Sequence, residues 1–315
     1  MLLSVSRRTD IPAWYSDWFL NRLSEGFVGV RQPYRFHQIS RIPLTQEGID
    51  AILFWSKDPE PLRRRLGELD RTGIPYAFQF TLNPYGRTLE PRLRNLEERV
   101  NTFVRLAEAI GPDRIFWRYD PIVLNEAWTI DRHRRAFAWL CERLEGRTNR
   151  CTISFVDMYA SLRRVQEEGR IRPISVEEMQ AIGEGFVSIG REHGMVLRTC
   201  CEEADLSACG ILPGACIDRE DMERLCGYRL RVKPANGQRP GCRCVESIDI
   251  GTYNTCRSGC LYCYATNRPG RAAKTAAEHD PASPLLVGWP GPEDIILEKK
   301  AVSLLDNQPN LYGLD

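Results

Sequence analysis

Apolar and polar positions alternate along the first two hundred residues in two rhythms. Short runs rich in branched and aromatic side chains predict strands at Leu2–Ser6, Phe27–Val30, Ala51–Trp55, Tyr76–Thr81, Arg114–Arg118, Cys151–Phe155 and Met195–Thr199. Between them lie stretches with one apolar face, as where Leu62, Leu66 and Leu69 fall at helical spacing within 59–72. Further helices are predicted at Pro12–Ser24, with Asp10 as a cap, and at Arg92–Ile110, Asp131–Leu144 and Val176–His193. Neighbouring parallel strands need a crossover, usually a helix, so this alternation predicts an α/β fold with a parallel sheet. Ser247–Ile250 is an eighth strand candidate. Eight strand–helix units close a (β/α)8 TIM-like barrel, with the site on the loops after the strands' C-terminal ends. An open doubly wound sheet is the alternative. Arg7, Arg8 and Asp10, Lys57, Thr81, Arg118 and Asp120, Asp157 and Glu202 all fall at such ends.

The chain has 315 residues, 43% of them apolar, enough for one large domain with an appendage. Its expected division is barrel units over 1–199, a cysteine-rich region holding the last strand over 200–268, and an extension over 269–315. The extension is rich in Pro and Gly and ends in a predicted short helix, Ile295–Leu305; it reads as a surface wrap or a flap. Forty-three basic and 42 acidic residues give a net charge of +1, so no long-range field favours nucleic acid or a charged membrane. No apolar run reaches the roughly 18 residues of a membrane span, and Arg7-Arg8 arrives too early for a secretory signal. A cytoplasmic location is expected. The glycine fingerprint for dinucleotides, the phosphate-cradling loop and a nucleophile elbow are all missing. His37, His133, His193 and His279 are scattered, and His133 is expected on the exposed side of its helix.

Twelve cysteines change the picture. None occurs before Cys141, and ten lie between Cys200 and Cys263. Secreted disulfide proteins staple their whole length, so a dense cluster after a long cysteine-free stretch points to metal. Cys256, Cys260 and Cys263 have the spacing C-x3-C-x2-C, with Tyr262 before the third. Three thiolates on a short loop can hold three irons of a [4Fe–4S] cluster and leave the fourth open, as catalytic metal sites require. Gly259 permits a tight turn, and Tyr262 can shield the cluster from solvent.

This spacing resembles the signature of the radical S-adenosylmethionine superfamily. The resemblance implies that S-adenosylmethionine chelates the open iron and is cleaved reductively to a 5′-deoxyadenosyl radical. It also implies a reductant such as flavodoxin or ferredoxin, and a substrate that the sequence does not identify. In that superfamily the motif follows the first barrel strand; here it follows the last candidate. In a closed barrel the eighth strand neighbours the first, so the resemblance implies a circularly permuted barrel.

Seven cysteines lie upstream, Cys200, Cys201, Cys209, Cys216, Cys226, Cys242 and Cys244, and four of them can ligate a second cluster. The whole chain also resembles the DUF1848 family. The likeness runs through Ser6-Arg7-Arg8-Thr9-Asp10-Ile11-Pro12, Phe54-Trp55-Ser56-Lys57, Trp117-Arg118-Tyr119-Asp120-Pro121-Ile122, Gly214-Ala215-Cys216-Ile217-Asp218 and Cys263-Tyr264-Ala265. It implies Cys200, Cys216, Cys242 and Cys244 as the second set, with Cys201 exchanging for Cys200 if the match slips by one. Structural zinc on the same four is the other reading. Cys141, Cys151, Cys209 and Cys226 sit in apolar or helical contexts and read as buried small hydrophobes.

Arg7, Arg8 and Asp10 read either as a substrate clamp or as an ion-pair network at the barrel mouth. Arg7, Asp10 and Lys57 are the catalytic candidates. Arg118 and Asp120, on alternate positions of an extended segment and so on one side, join Thr81 and Tyr262 as candidates for S-adenosylmethionine; Asn83 is a weaker rim candidate. Two other classes of function stay open: an iron–sulfur electron-transfer or redox-sensing protein without a radical step, and a zinc-stabilised nucleic-acid-binding protein.

Overall fold

The computed structural model describes residues 1–239, 241–266 and 268–306. Its strands are β1 (Leu2–Val5), β2 (Phe27–Gln32), β3 (Arg35–Pro43), β4 (Ala51–Ser56), β5 (Tyr76–Thr81), β6 (Ile115–Ile122), β7 (Arg150–Phe155), β8 (Val196–Cys200), β9 (Leu212–Gly214), β10 (Ile248–Asp249) and β11 (Ile295–Glu298). Eight of them form one sheet in the order β10-β1-β4-β5-β6-β7-β8-β9, and every pairing in it is parallel. The expected neighbour relation holds: Leu3 pairs with Ile248 and Ser4 with Asp249, so the last strand lies beside the first. At the opposite end, β9 and β10 do not pair as strands. Just beyond them, the Val245 N–H donates to the Ile217 carbonyl at 3.0 Å.

Three expectations are corrected. Phe27–Val30 lies in β2, which pairs antiparallel with β3 in a separate three-stranded sheet rather than in the barrel-like one. Its place in the eight is taken by β9, which the apolar pattern did not reveal. Ile295–Leu305 is not a helix; its first residues form β11, parallel to β3, where the β-branched Ile295 and Ile296 favour an extended backbone. His133 is buried rather than exposed. The remaining tail behaves as a wrap: the Trp18 indole donates to Ser283 O at 2.9 Å, and Thr275 Oγ1 donates to Asn254 O at 2.8 Å. Residues 307–315 of the expected extension lie outside the described residues.

The other expected helices form, although 12–24 and 59–72 are each split in two, as Ile11–Trp14 and Ser16–Glu25 and as Glu60–Arg63 and Leu66–Asp70. Leu96–Ile110 starts at a capping box in which Asn95 accepts from the Glu98 N–H and Glu98 accepts from the Asn95 N–H. Val176–Glu192 has the same device in Ser175 and Glu178. Period-two alternation then sorts the strand residues onto two faces. Val5, Phe54, Phe78, Phe80, Trp117 and Ile153 enter the large core with the helices, where Phe137 stacks between Trp117 and Phe186 at 5.1 and 4.0 Å. The opposite face is graded. Near the strand starts it carries Leu2, Ala51, Leu53, Ala77 and Phe116, packed on Ile217, Met222, Leu230 and Val245. Towards the strand ends it turns polar, with Ser4, Gln79, Arg118 and Ser154, all buried. Burying polar groups is tolerated only where they find partners, and that half of the face holds the site.

Candidate metal centres

The loop after β10 carries Cys256, Cys260 and Cys263 and is held at many points. Asp249 anchors its approach, accepting from Ser4 Oγ at 2.8 Å, Ser6 Oγ at 2.6 Å and the Arg7 N–H at 2.8 Å. Gly251 then passes so close to β1 that a Cβ there would lie 1.9 Å from Ser6 Oγ. Thr9 and Thr255 share a short hydroxyl contact, Tyr15 Oη donates to Thr255 O at 2.7 Å, and Trp14 Nε1 donates to Ser258 Oγ at 2.9 Å. The loop turns at Gly259, whose φ of 69° suits glycine as expected. All three thiols are half-buried. Burial pushes Cys256 up to about 11, helped by the Asp10 carboxylate and by Cys263. Cys260 lies well above the usual thiol range, chiefly through burial; neighbouring Lys57 opposes this, while Glu90, Cys263 and Cys256 reinforce it. The three thiols are therefore near enough to feel one another's charge.

Beside this loop lies a buried polar network. Lys57 Nζ donates to Glu90 Oε1 at 3.0 Å and to Tyr262 Oη at 3.1 Å, and Tyr262 Oη donates to Glu90 through a short bond. Burial works against the Lys57 charge, but the Glu90 carboxylate and Cys260 outweigh it, and the pKa is raised. Arg99 faces the other Glu90 oxygen at 3.3 Å. Asn83 Nδ2 reaches Tyr262 Oη at 3.2 Å and Asp120 O at 2.8 Å, while its Oδ1 accepts from the Asp120 N–H at 2.8 Å.

The second set is assembled from three places. Cys200 ends β8, Cys216 follows β9, and Cys242 and Cys244 precede β10. Cys200 Sγ approaches Cys216 Sγ at 2.7 Å, and the Ile217 N–H donates to Cys244 Sγ at 3.4 Å. Thiol hydrogen bonds from Cys216 bring Cys200 down to about 7 and Cys244 to about 5. Cys216, their common neighbour, stays well above the usual range, and Cys242 is raised by burial. Thiolates are the form that binds metal. Arg118 supports them, with Nη1 2.8 Å from Cys216 Sγ and with Nε and Nη2 on Asp120 Oδ2, the Nε contact at 3.0 Å. Burial favours a neutral Asp120, but Arg118 and Ser154 overcome it and its pKa is lowered. A continuous polar path thus runs from Cys216 through Arg118, Asp120 and Asn83 to Tyr262, between Cys260 and Cys263.

Of the remaining expected residues, Asp10 caps the helix at Ile11 and accepts from Ser56 Oγ at 2.7 Å and the Lys57 N–H at 2.8 Å. Burial pushes it up to about 6. Arg7 lies 3.8 Å from the Asp249 carboxylate and over the Trp55 ring at 5.8 Å, on the side of the mouth network rather than a free clamp. Arg118 approaches the same ring at 5.5 Å. Thr81 ends β5, half-buried and in register with Arg118. Asp157 pairs with Arg239, and Glu202, raised to about 7 by burial, accepts from the Phe155 N–H at 3.0 Å. Cys200 touches Cys216, and Cys201 Sγ faces Arg239 O at 3.8 Å. Cys141 and Cys151 are buried, Cys209 and Cys226 half-buried. His133 joins Tyr119 Oη and Val123 O, each at 2.8 Å, and burial brings it down to about 4. Glu90, central to the geometry, carried no periodic or motif signal; Asp249 lies in the expected strand Ser247–Ile250, but nothing singled out its carboxylate. Among the described residues, no three or more His, Cys, Asp or Glu side chains are spaced to hold a metal ion, and no helix is long and apolar enough to cross a membrane.

Comparison with known proteins gives little functional information. No curated protein matches the chain. Among solved structures it is similar to the EAL domain of FimX from Xanthomonas citri, determined with c-diGMP. The two are 13% identical over 65% of this chain and 91% of that one, with a TM-score of 0.21, too low to carry an argument. Residues 2–265 match the family model described as a domain of unknown function, DUF1848, and the chain belongs to that family.

Proposed function

We propose that this protein is a radical-type iron–sulfur enzyme built as a circularly permuted (β/α)8 barrel. Cys256, Cys260 and Cys263 would hold a [4Fe–4S] cluster, and Cys200, Cys216, Cys242 and Cys244 a second. The observation that carries the reading is the position of the C-x3-C-x2-C loop: it leaves the C-terminal end of a strand that pairs in parallel with β1. The donor chemistry suits such a group, with three thiols on one tightly held loop and a second set in which Cys200 touches Cys216 beside Arg118, although among the described residues the side chains as placed are not spaced around a metal ion. When bound, the first cluster supplies the electron that cleaves S-adenosylmethionine to a 5′-deoxyadenosyl radical. The chain's own residues position and shield. Tyr262 packs its ring among Tyr85 and the loop, and Lys57 and Glu90 fix its hydroxyl. Arg118, Asp120 and Thr81 line the polar half of the inner face, where the cofactor's charged and ribose groups can be gripped. Flavodoxin or ferredoxin would supply electrons.

The test is anaerobic reconstitution with iron and sulfide counting, followed by an assay for 5′-deoxyadenosine. Wild type should release it on reduction and Cys260→Ala should not; equal release by that variant sinks the assignment. The polar path between the two cysteine sets favours a second reading, an electron carrier without a radical step. The two part on whether S-adenosylmethionine alters the EPR spectrum of the reduced protein. Zinc without iron or sulfide would exclude both.

A further inference from the structure

Outside the site, the satellite sheet leaves one edge open. β11 pairs with β3 on one side only; among the described residues no strand pairs with its other edge. The Lys299 N–H donates to Arg41 O at 2.9 Å. Backbone groups of odd-numbered residues therefore turn towards β3, and those of Ile296 and Glu298 turn outward. The strand also exposes apolar side chains, with Ile295 at 56%, Ile296 at 47% and Leu297 at 38%. Native proteins usually guard an exposed apolar edge with charge, Pro or a bulge. Here the charges flank the triplet instead: Glu293 and Asp294 precede it, and Glu298, Lys299 and Lys300 follow it.

We propose that β11 pairs antiparallel with β11 of a second copy, making a two-fold dimer through a continuous six-stranded sheet. A two-fold axis at Leu297 keeps the outward backbone groups in register, pairing Ile296 with Glu298 of the second copy. It sets Leu297 against itself and Asp294 opposite Lys300 of the second copy. An axis at Ile296 would instead oppose Asp294 to Glu298, and parallel pairing would put like charge on like charge. Arg31 holds the Asp294 carboxylate, with Nη2 to Oδ2 at 2.8 Å, and leaves its side chain 6% exposed, so Lys300 of the second copy meets an acid already fixed by its own partner. The interface is isologous, as two-fold symmetry requires, and does not depend on the metal reading.

Sedimentation equilibrium of the full chain under reducing conditions tests this. Wild type should show a reversible monomer–dimer equilibrium, and Leu297→Lys, which sets two ammonium groups face to face, should stay monomeric with unchanged circular dichroism. Lys300→Glu, on an exposed side chain, should weaken association several-fold and decides the matter if Leu297→Lys misfolds. A wild type that is monomeric at every accessible concentration, or a Leu297→Lys variant that dimerises as wild type does, overturns the proposal.

Discussion

The two cysteine sets lie on the same polar face yet are assembled by opposite means. Cys256, Cys260 and Cys263 share one short loop, which hydrogen bonds from Thr9, Trp14 and Tyr15 at the other end of the chain hold in place. Cys200, Cys216, Cys242 and Cys244 come from three separate segments and meet only because β8 and β9 end side by side and residues 242–245 fold back over them. Their electrostatics differ accordingly. The loop thiols Cys256 and Cys260 are pushed up by burial, whereas Arg118 sits directly on the dispersed set and helps bring Cys200 down to about 7. The loop set is braced by side chains from the segment after β1, whereas the dispersed set has Arg118 as its strut.

The largest expected effect follows from this. Arg118→Met removes the cation that joins Cys216 to Asp120 and leaves a half-buried carboxylate held by Ser154 alone among side-chain hydrogen bonds, which should cost about 3 kcal/mol, the low end for breaking a buried pair, in urea unfolding of the metal-free chain. It should also empty the four-cysteine set while sparing the loop set in metal counts. Arg118→Lys should not restore it, since one ammonium cannot replace Nη1 on sulfur and Nε and Nη2 on the carboxylate together. A loss below about 1 kcal/mol would remove the contrast, because surface pairs lie in that range.

Next comes the loop set's own weak point. At Gly251 an added methyl would overlap Ser6, which is itself buried and bonded to Asp249. Gly251→Ala should therefore cost about 1–3 kcal/mol as overpacking. It should lower iron at the loop set and leave the dispersed set filled. Ser6→Gly in the same chain should recover part of the loss, and complete additivity of the two changes would show that the clash is elsewhere.

How much of this was legible in the sequence tracks the same contrast. The loop set declared itself by spacing, and Ser247–Ile250 was placed beside β1 by closure of the expected barrel. The dispersed set came from family resemblance alone, since spacing says nothing about which segments a fold brings together. Glu90, though it ties Lys57 to Tyr262, lies in a turn-rich stretch before Pro91 where no period operates. β2 was assigned to the wrong sheet because an apolar run does not reveal its pairing partner, and Ile295–Glu298 because a short apolar run fits either period. His133 was readable after all: it shares helical spacing with Phe137, Leu140 and Leu144, the buried stripe of its helix.

The smallest expected effect probes whether the two sets act as one. In Tyr262→Phe the ring stays packed on Tyr85 and only the hydroxyl is lost. Each partner keeps another bond: Lys57 keeps Glu90 at 3.0 Å, and Asn83 keeps Asp120 O at 2.8 Å. No buried group is orphaned, so the cost should be about 1 kcal/mol. The hydroxyl is also the last member of the polar path from Cys216. If the sets are mechanically independent, Tyr262→Phe and Arg118→Met should add to within about 0.5 kcal/mol in a double-mutant cycle. Coupling well above that would mean that Arg118 holds both sets through Asp120 and Asn83. The loop would then share its strut with the set assembled across the sheet.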